Sequence, residues 1–148
     1  MSRLHVHIAV ADLETNIRFY TALFGHEPSM HKNDYAKWEL TDPAVNFAIS
    51  SRGRKTGLDH VGIQAGSGEE FAALQARLEA AGIAGAPQED AACCYAHSDK
   101  YWSLDPQGIA WEAFHTLDTI PTFNDGDDRA TGDSCCVVPG LAGSGCCS

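Results

Sequence analysis

The chain carries an internal repeat. Leu4-His5-Val6-His7-Ile8 lies over Asp59-His60-Val61-Gly62-Ile63, and in each copy a run alternating polar and apolar residues leads into a helical pattern. Each copy reads as a strand followed by a helix, so whatever this chain folds into is built twice. The first helix is predicted to start at Asp12 as N-cap, to bury Leu13, Ile17, Tyr20 and Phe24 on one stripe, and to stop at Gly25. The second starts at Ser67, with Glu70 completing a capping box, buries Phe71, Leu74 and Leu78, and stops near Gly82.

Short β-like runs follow each helix, at 35–40 and 45–50 in the first half and at 101–104 and 109–115 in the second. Asp42-Pro43 and Asp105-Pro106-Gln107-Gly108 mark matching turns, with Gly108 suited to positive φ. His5 and His60 are 55 residues apart, whereas Phe47 and Glu112, aligned in the last strands, are 65 apart. The roughly ten extra residues fall in 86–100, which predicts an added loop around Cys93-Cys94, and loops on a rigid scaffold commonly carry specificity.

With 148 residues and 44% hydrophobic content, the chain supports one core, placed in a single domain over 1–118 with modules at about 2–52 and 57–118. Residues 119–148 turn to Asn, Asp, Gly, Ser and Pro, and a flexible tail is expected. No basic-then-apolar leader precedes the first strand, and no run approaches the ~20 apolar residues of a membrane span. A cytoplasmic protein with no membrane partner is expected. A net charge of −10 argues against nucleic acid, whose phosphates are bound by clustered Lys and Arg.

All six cysteines stand in adjacent pairs, Cys93-Cys94, Cys135-Cys136 and Cys146-Cys147. Neighbouring Cα atoms lie ~3.8 Å apart, below the usual disulfide range, so an adjacent pair reads as two soft ligands that stay thiols in a reducing compartment. Alternation in the first strand puts His5 and His7 on one face. The repeat favours His5, whose counterpart is His60, while His7 matches Gly62 and reads as a cavity neighbour. Glu112, set between apolar neighbours on a late strand, needs a partner. Two imidazoles and a carboxylate form the facial set suited to Fe(II), with Zn(II) or Mn(II) chemically possible. Nothing places His26, His31, His97 or His115 on that face.

His5 leading to Asp12-Leu13 and Phe19-Tyr20, His60 heading the second module, and Asp105-Pro106-x-Gly108 before Trp111-Glu112 together resemble the vicinal oxygen chelate superfamily of glyoxalases, bleomycin-resistance proteins and extradiol dioxygenases. The resemblance implies an α+β fold of two tandem βαβββ modules forming an open metal-binding β-cup. Within the superfamily, Ala92-Cys93-Cys94-Tyr95-Ala96, Asp99-Lys100-x-Trp102 and Trp111-Glu112 are similar to the ArsI/CadI group of organoarsenical carbon-arsenic lyases and cadmium-induced proteins. That likeness implies Fe(II) on His5, His60 and Glu112, molecular oxygen as co-substrate, and a trivalent organoarsenical held by Cys93 and Cys94, with arsenite as product. Several members of that group carry Gln at the place of His5, so His here is a competent ligand that could alter metal preference.

Tyr95, Lys100 and Trp102 are expected to close the thiol loop over the substrate, against a reading as a surface cation and packing aromatics. Cys135, Cys136, Cys146 and Cys147 are expected to bind As(III) or Cd(II). A glyoxalase would place a fourth ligand at Phe47, which cannot ligate, and a thiol transferase would need a cationic pocket that no Lys or Arg cluster marks. The remaining rival is a non-catalytic protein that sequesters Cd(II) or arsenite. Either a monomer or a homodimer could form the cup.

Overall fold

The computed structural model describes residues 1–122. Each half runs strand, helix, three strands: β1 Arg3–Ala9, α1 Leu13–Phe24, β2 Met30–His31, β3 Tyr35–Thr41 and β4 Ala44–Ser50, then β5 Gly57–Gln64, α2 Gly68–Ala80, β6 Ala86–Cys93, β7 Ala96–Leu104 and β8 Ala110–Thr119. The strands form one eight-stranded sheet in the order β2-β3-β4-β1-β5-β8-β7-β6. β1 and β5 run antiparallel at its centre with Val6 opposite Val61, β4 lies parallel to β1, and β8 lies parallel to β5. Val6 and Val61 are also each other's counterparts in the repeat, so a pseudo-two-fold passes between them.

The sheet curls. The β6–β7 tip carries Tyr95, whose ring centre lies 5.7 Å from that of Tyr35 at the start of β3 and whose hydroxyl donates to Asp34. Residues from opposite flanks of the sheet therefore touch across a cup, giving the expected α+β half-barrel of two βαβββ modules.

The helices cover the convex side. The Asp12 carboxylate accepts from the Thr15 N–H at 2.7 Å, and Gly25 ends α1 at φ 72°, a left-handed conformation that glycine adopts without cost. α1 lays Leu13 and Ile17 on Trp38, Phe47 and Ile49, with Tyr20 and Phe24 packed alongside. At the start of α2, Ser67 Oγ accepts from the Glu70 N–H at 3.1 Å, but the Glu70 carboxylate reaches one residue further back, to the Gly66 N–H. Phe71, Leu74 and Leu78 are only half-buried, contrary to the expected buried stripe. Leu74 and Leu78 line an apolar groove of about 660 Å³ with Ile63, Leu104 and Trp111. The register explains the contrast: Trp38 pairs with Phe47 under α1, whereas Ser103 pairs with Trp111 under α2, so the second module lacks one large side chain.

Three further expectations are corrected. The segment predicted as a loop over 86–100 is mostly paired strand, β6 on β7, so the extra length extends a hairpin. Phe47 is not the counterpart of Glu112: Val6 pairs with Phe47 and Val61 with Trp111, so Phe47 matches Trp111 and Ala48 matches Glu112. A one-residue slip moves a strand residue to the other face, which is why Phe47 packs under α1 and Glu112 enters the cup. Finally, β8 continues through Thr119, and the Ile120 N–H donates to the Tyr95 carbonyl at 2.9 Å. The cysteines at 135, 136, 146 and 147, with the metal binding expected of them, lie outside the described residues. Among the described residues no helix is long and apolar enough to cross a membrane.

Candidate metal centre

The concave face is polar and yet closed to solvent. His5, His7, Asn46, Ser50, His60, Ser98, Lys100 and Glu112 are all buried, an arrangement that requires partners for each of them. Alternation along β1 sends His5 and His7 inward, and the antiparallel register sets His7 directly opposite His60 and His5 opposite Gly62. Glu112 arrives from β8 beside Gly62. A Cβ on Gly62 would lie 2.1 Å from the Glu112 carbonyl oxygen, so only glycine lets β8 approach this closely.

Three donor atoms converge. His5 Nε2 is 3.1 Å from His60 Nε2, and Glu112 Oε2 is 3.2 Å from His60 Nε2 and 3.5 Å from His5 Nε2. The ligand atoms of His5, His7 and His60 also lie within 4.8 Å of one another and could hold a metal ion. His5 and His60 are each oriented from behind. His5 Nδ1 donates to the Asn46 carbonyl at 3.1 Å, which leaves its Nε2 lone pair facing inward. His60 Nδ1 donates to Asp59 Oδ1 at 2.7 Å, and Asp59 Oδ2 pairs with Arg54 at 2.8 Å. This carboxylate–imidazole arrangement fixes ring orientation and basicity at metal sites. Asp59 occupies the register shift between the His7–His60 and Ile8–Leu58 pairs, and a bulge of this kind re-aims a side chain. The sequence signalled Asp59 only by its place immediately before His60.

Burial and the neighbouring charges set the electrostatics of the cluster. Burial, reinforced by the charge of His60, pushes the His5 pKa down to about 4 and that of His7 to about 3. Burial opposes protonation of His60 too, but its hydrogen bonds to Asp59 and Glu112 prevail and raise its pKa. Burial would raise the Glu112 pKa, yet the Lys100 ammonium and His60 hold it well below the usual carboxylate range. The Asn46 amide oxygen, buried on the cavity wall, has no partner among the described residues. A donor set of imidazole nitrogen and carboxylate oxygen, oriented from behind, fits a divalent transition ion.

The thiols share this cavity. Its volume is about 40 Å³, and Cys93, Cys94 and Lys100 line it together with His5, His7, His60 and Glu112. Cys94 and Tyr95 form the β6–β7 turn at φ 58° and 62°, a geometry that normally selects Asn or Gly and concentrates at functional sites when other residues hold it. The Sγ atoms of Cys93 and Cys94 are 3.1 Å apart, too far for a bond between them. Cys93 is nonetheless engaged in a disulfide, so the expectation of two thiols holds for Cys94 alone in this structure. Burial pushes the Cys94 thiol up to about 12 against the pull of Lys100.

The structure gives the other predicted residues distinct places. Lys100 is buried with Nζ 2.6 Å from Glu112 Oε1. Trp102, fully buried, floors the cup with its ring centre 5.1 Å from that of His60. Tyr95 stands at the rim and ties the turn to Asp34, which Arg52 also contacts. Of the histidines left aside, His31 pairs with Glu14 on the surface and His97 with Asp90.

Comparison with known proteins agrees with this architecture. Residues 3–113 match the model of the Glyoxalase/Bleomycin resistance protein/Dioxygenase superfamily. A trivalent organoarsenical cleaving enzyme of Bacillus sp. (strain MD1) is 40% identical, covering 100% of this chain and 91% of that protein. Cadmium-induced protein CadI of Mycobacterium bovis is 34% identical, covering 97% of this chain and 100% of that protein. In fold, the chain is similar to the Mn(II)-bound glyoxalase of Novosphingobium aromaticivorans, with TM-score 0.56 at 20% identity over 81% of this chain and 42% of the other. It is also similar to homoprotocatechuate 2,3-dioxygenase of Brevibacterium fuscum, with TM-score 0.57 at 17% identity over 80% and 37%.

Proposed function

The chain belongs to the Glyoxalase/Bleomycin resistance protein/Dioxygenase superfamily, and we propose that within it the protein is an Fe(II)- and O2-dependent carbon-arsenic lyase that releases arsenite from trivalent organoarsenicals. The observation that carries this reading is the meeting of a vicinal cysteine pair with the His5, His60 and Glu112 donors in one buried cavity. The relative that cleaves trivalent organoarsenicals supports it.

His5, His60 and Glu112 hold the ion in this reading. A ferrous ion held there would supply the activation of oxygen that no side chain of this chain can provide. A trivalent arsenic bearing one carbon has two further valences, which the sulfurs of Cys93 and Cys94 fill while leaving the carbon in place, once a small cellular thiol has reduced the Cys93 disulfide and been oxidised in turn. Because the Cys94 thiol is held protonated by burial, arsenic capture releases its proton, and hydroxide on the arsenic leaves as water. The strained turn at Cys94-Tyr95, tied to Asp34, fixes the arsenic beside the donor cluster and so replaces a chance encounter by a set orientation. Lys100 keeps Glu112 ionised, and Trp102 closes the floor to water. Overall, methylarsonous acid and O2 balance as arsenous acid and formaldehyde, one oxygen atom ending on each fragment.

The test is arsenite release from methylarsonous acid by reduced, Fe(II)-loaded protein, with and without oxygen, beside the double variant Cys93→Ser/Cys94→Ser. Oxygen-dependent release that the double variant loses is expected. No release from verified iron-loaded, reduced protein would leave the second reading, a Cd(II)- or arsenite-sequestering protein. The small cavity volume, about 40 Å³, and the cadmium-induced relative favour that alternative.

A further inference from the structure

His7 has no role in the reading above, and the pseudo-two-fold gives it one. On either side of the His5–His60 pair, one cross-strand rung flanks the donor cluster. In the second module the rung is Gly62 on β5 with Glu112 on β8. Its symmetric partner in the first module is His7 on β1 with Ala48 on β4. Each rung therefore carries one donor and one residue trimmed to make room for it. The donor has changed strands: β8 supplies it in the second module, β1 in the first. A ligand at the place of Ala48 would be the symmetric mate of Glu112, and this chain puts methyl there, fully buried, with an imidazole on the adjacent strand.

We propose that His7 is a fourth protein ligand, so that this chain binds its metal with three imidazoles and one carboxylate. The inference rests on the reading that His5, His60 and Glu112 hold an ion. His7 lies directly across from His60 in the strand register, with ring centres 4.9 Å apart. Its ligand atom is within 4.8 Å of those of His5 and His60, and it lines the same cavity. Ser50 Oγ, at 2.9 Å from His7 Nε2, is its hydrogen-bond partner, and a hydroxyl is a neutral partner that a divalent cation displaces. With four protein ligands a six-coordinate ion would have two open positions, where a three-ligand facial set would leave three.

The test uses Mn(II) alone with the full-length chain, because this hard ion leaves thiols untouched. X-ray absorption at the manganese edge counts imidazoles, and titration followed by the EPR signal of free Mn(II) gives affinity. Three imidazoles in the unmodified protein, falling to two in His7→Ala with affinity weakened at least about tenfold, are expected. Two imidazoles in the unmodified protein overturn the proposal, and that count stands even where His7→Ala fails to fold. Stoichiometric binding that is indifferent to His60→Ala and Glu112→Gln would instead mean that the underlying metal site is misassigned, a result distinct from an unchanged His7→Ala.

Discussion

Lys100 Nζ lies 2.6 Å from Glu112 Oε1, and both side chains are 5% exposed. The pairing divides the carboxylate: Oε1 belongs to the ammonium, and Oε2 faces the two imidazoles. Breaking a buried pair by removing one partner strands the other charge, at about 3–5 kcal/mol. Lys100→Met is therefore expected to destabilise the metal-free protein by that order, measured by urea unfolding. An unchanged midpoint would mean that Glu112 finds another partner.

Asp59 accepts from His60 Nδ1 at 2.7 Å, behind the donor cluster. In Asp59→Asn the amide still reaches Nδ1 but loses the charge that orients and polarises the ring, and outer-shell losses of this kind typically cost about 10–100-fold in metal affinity. Mn(II) titration should show that loss with a fold unchanged by circular dichroism. Equal affinity would remove Asp59 from the site.

Gly62 and Gly108 separate two kinds of glycine requirement. Alanine at 62 drives its Cβ against the Glu112 carbonyl, a backbone atom that cannot step aside. We expect a cost of about 3 kcal/mol and loss of metal binding. Alanine at 108 meets nothing within 4 Å but has to adopt φ +84°, at about 1 kcal/mol, with metal binding intact. Thermal melts and metal titrations of both variants check the contrast.

The metal-free protein should weaken in mild acid. His5 and His7 have folded pKa values of about 4 and about 3 against 6.5 when unfolded. The unfolded chain therefore takes up protons first, and the stability present above 6.5 is lost as pH falls toward those values. His60, with a raised pKa, runs the other way: its contribution is present below 6.5 and fades as pH rises through its folded value. Two groups outweigh one, so the urea midpoint in chelator should drop between pH 6.5 and 4. A midpoint that rises on acidification would contradict the neutral state of His5 and His7.

Much of this architecture was legible in the residues, and the parts that were not have physical reasons. The helix caps at Asp12 and Ser67, and the match of His5 to His60, follow from local spacing, which sequence carries directly. The pairing of Glu112 with Ala48 instead of Phe47 does not, because a single residue decides the face and only the ladder with β1 and β5 counts it. His7 could not be ranked beside His5, since alternation puts both on one face and only the antiparallel register sets His7 across from His60. Lys100 ordinarily seeks water, and its burial is intelligible only once Glu112 is found beneath it. The half-filled space under α2 came from Ser103 standing where the first module has Trp38, a comparison that requires the strand partners to be known.

The seam between β1 and β5 has a consequence for how the chain is held together. His5 and His60 are 55 residues apart in sequence, one in each half, and neither half presents a ligand set alone. An ion shared between them would tie the chain into a closed ring as a covalent staple does, narrowing the freedom of the denatured chain. The donor cluster would thereby also be the rivet of the sheet, and under the proposed function a cell starved of metal would lose a share of the protein's rigidity along with its chemistry.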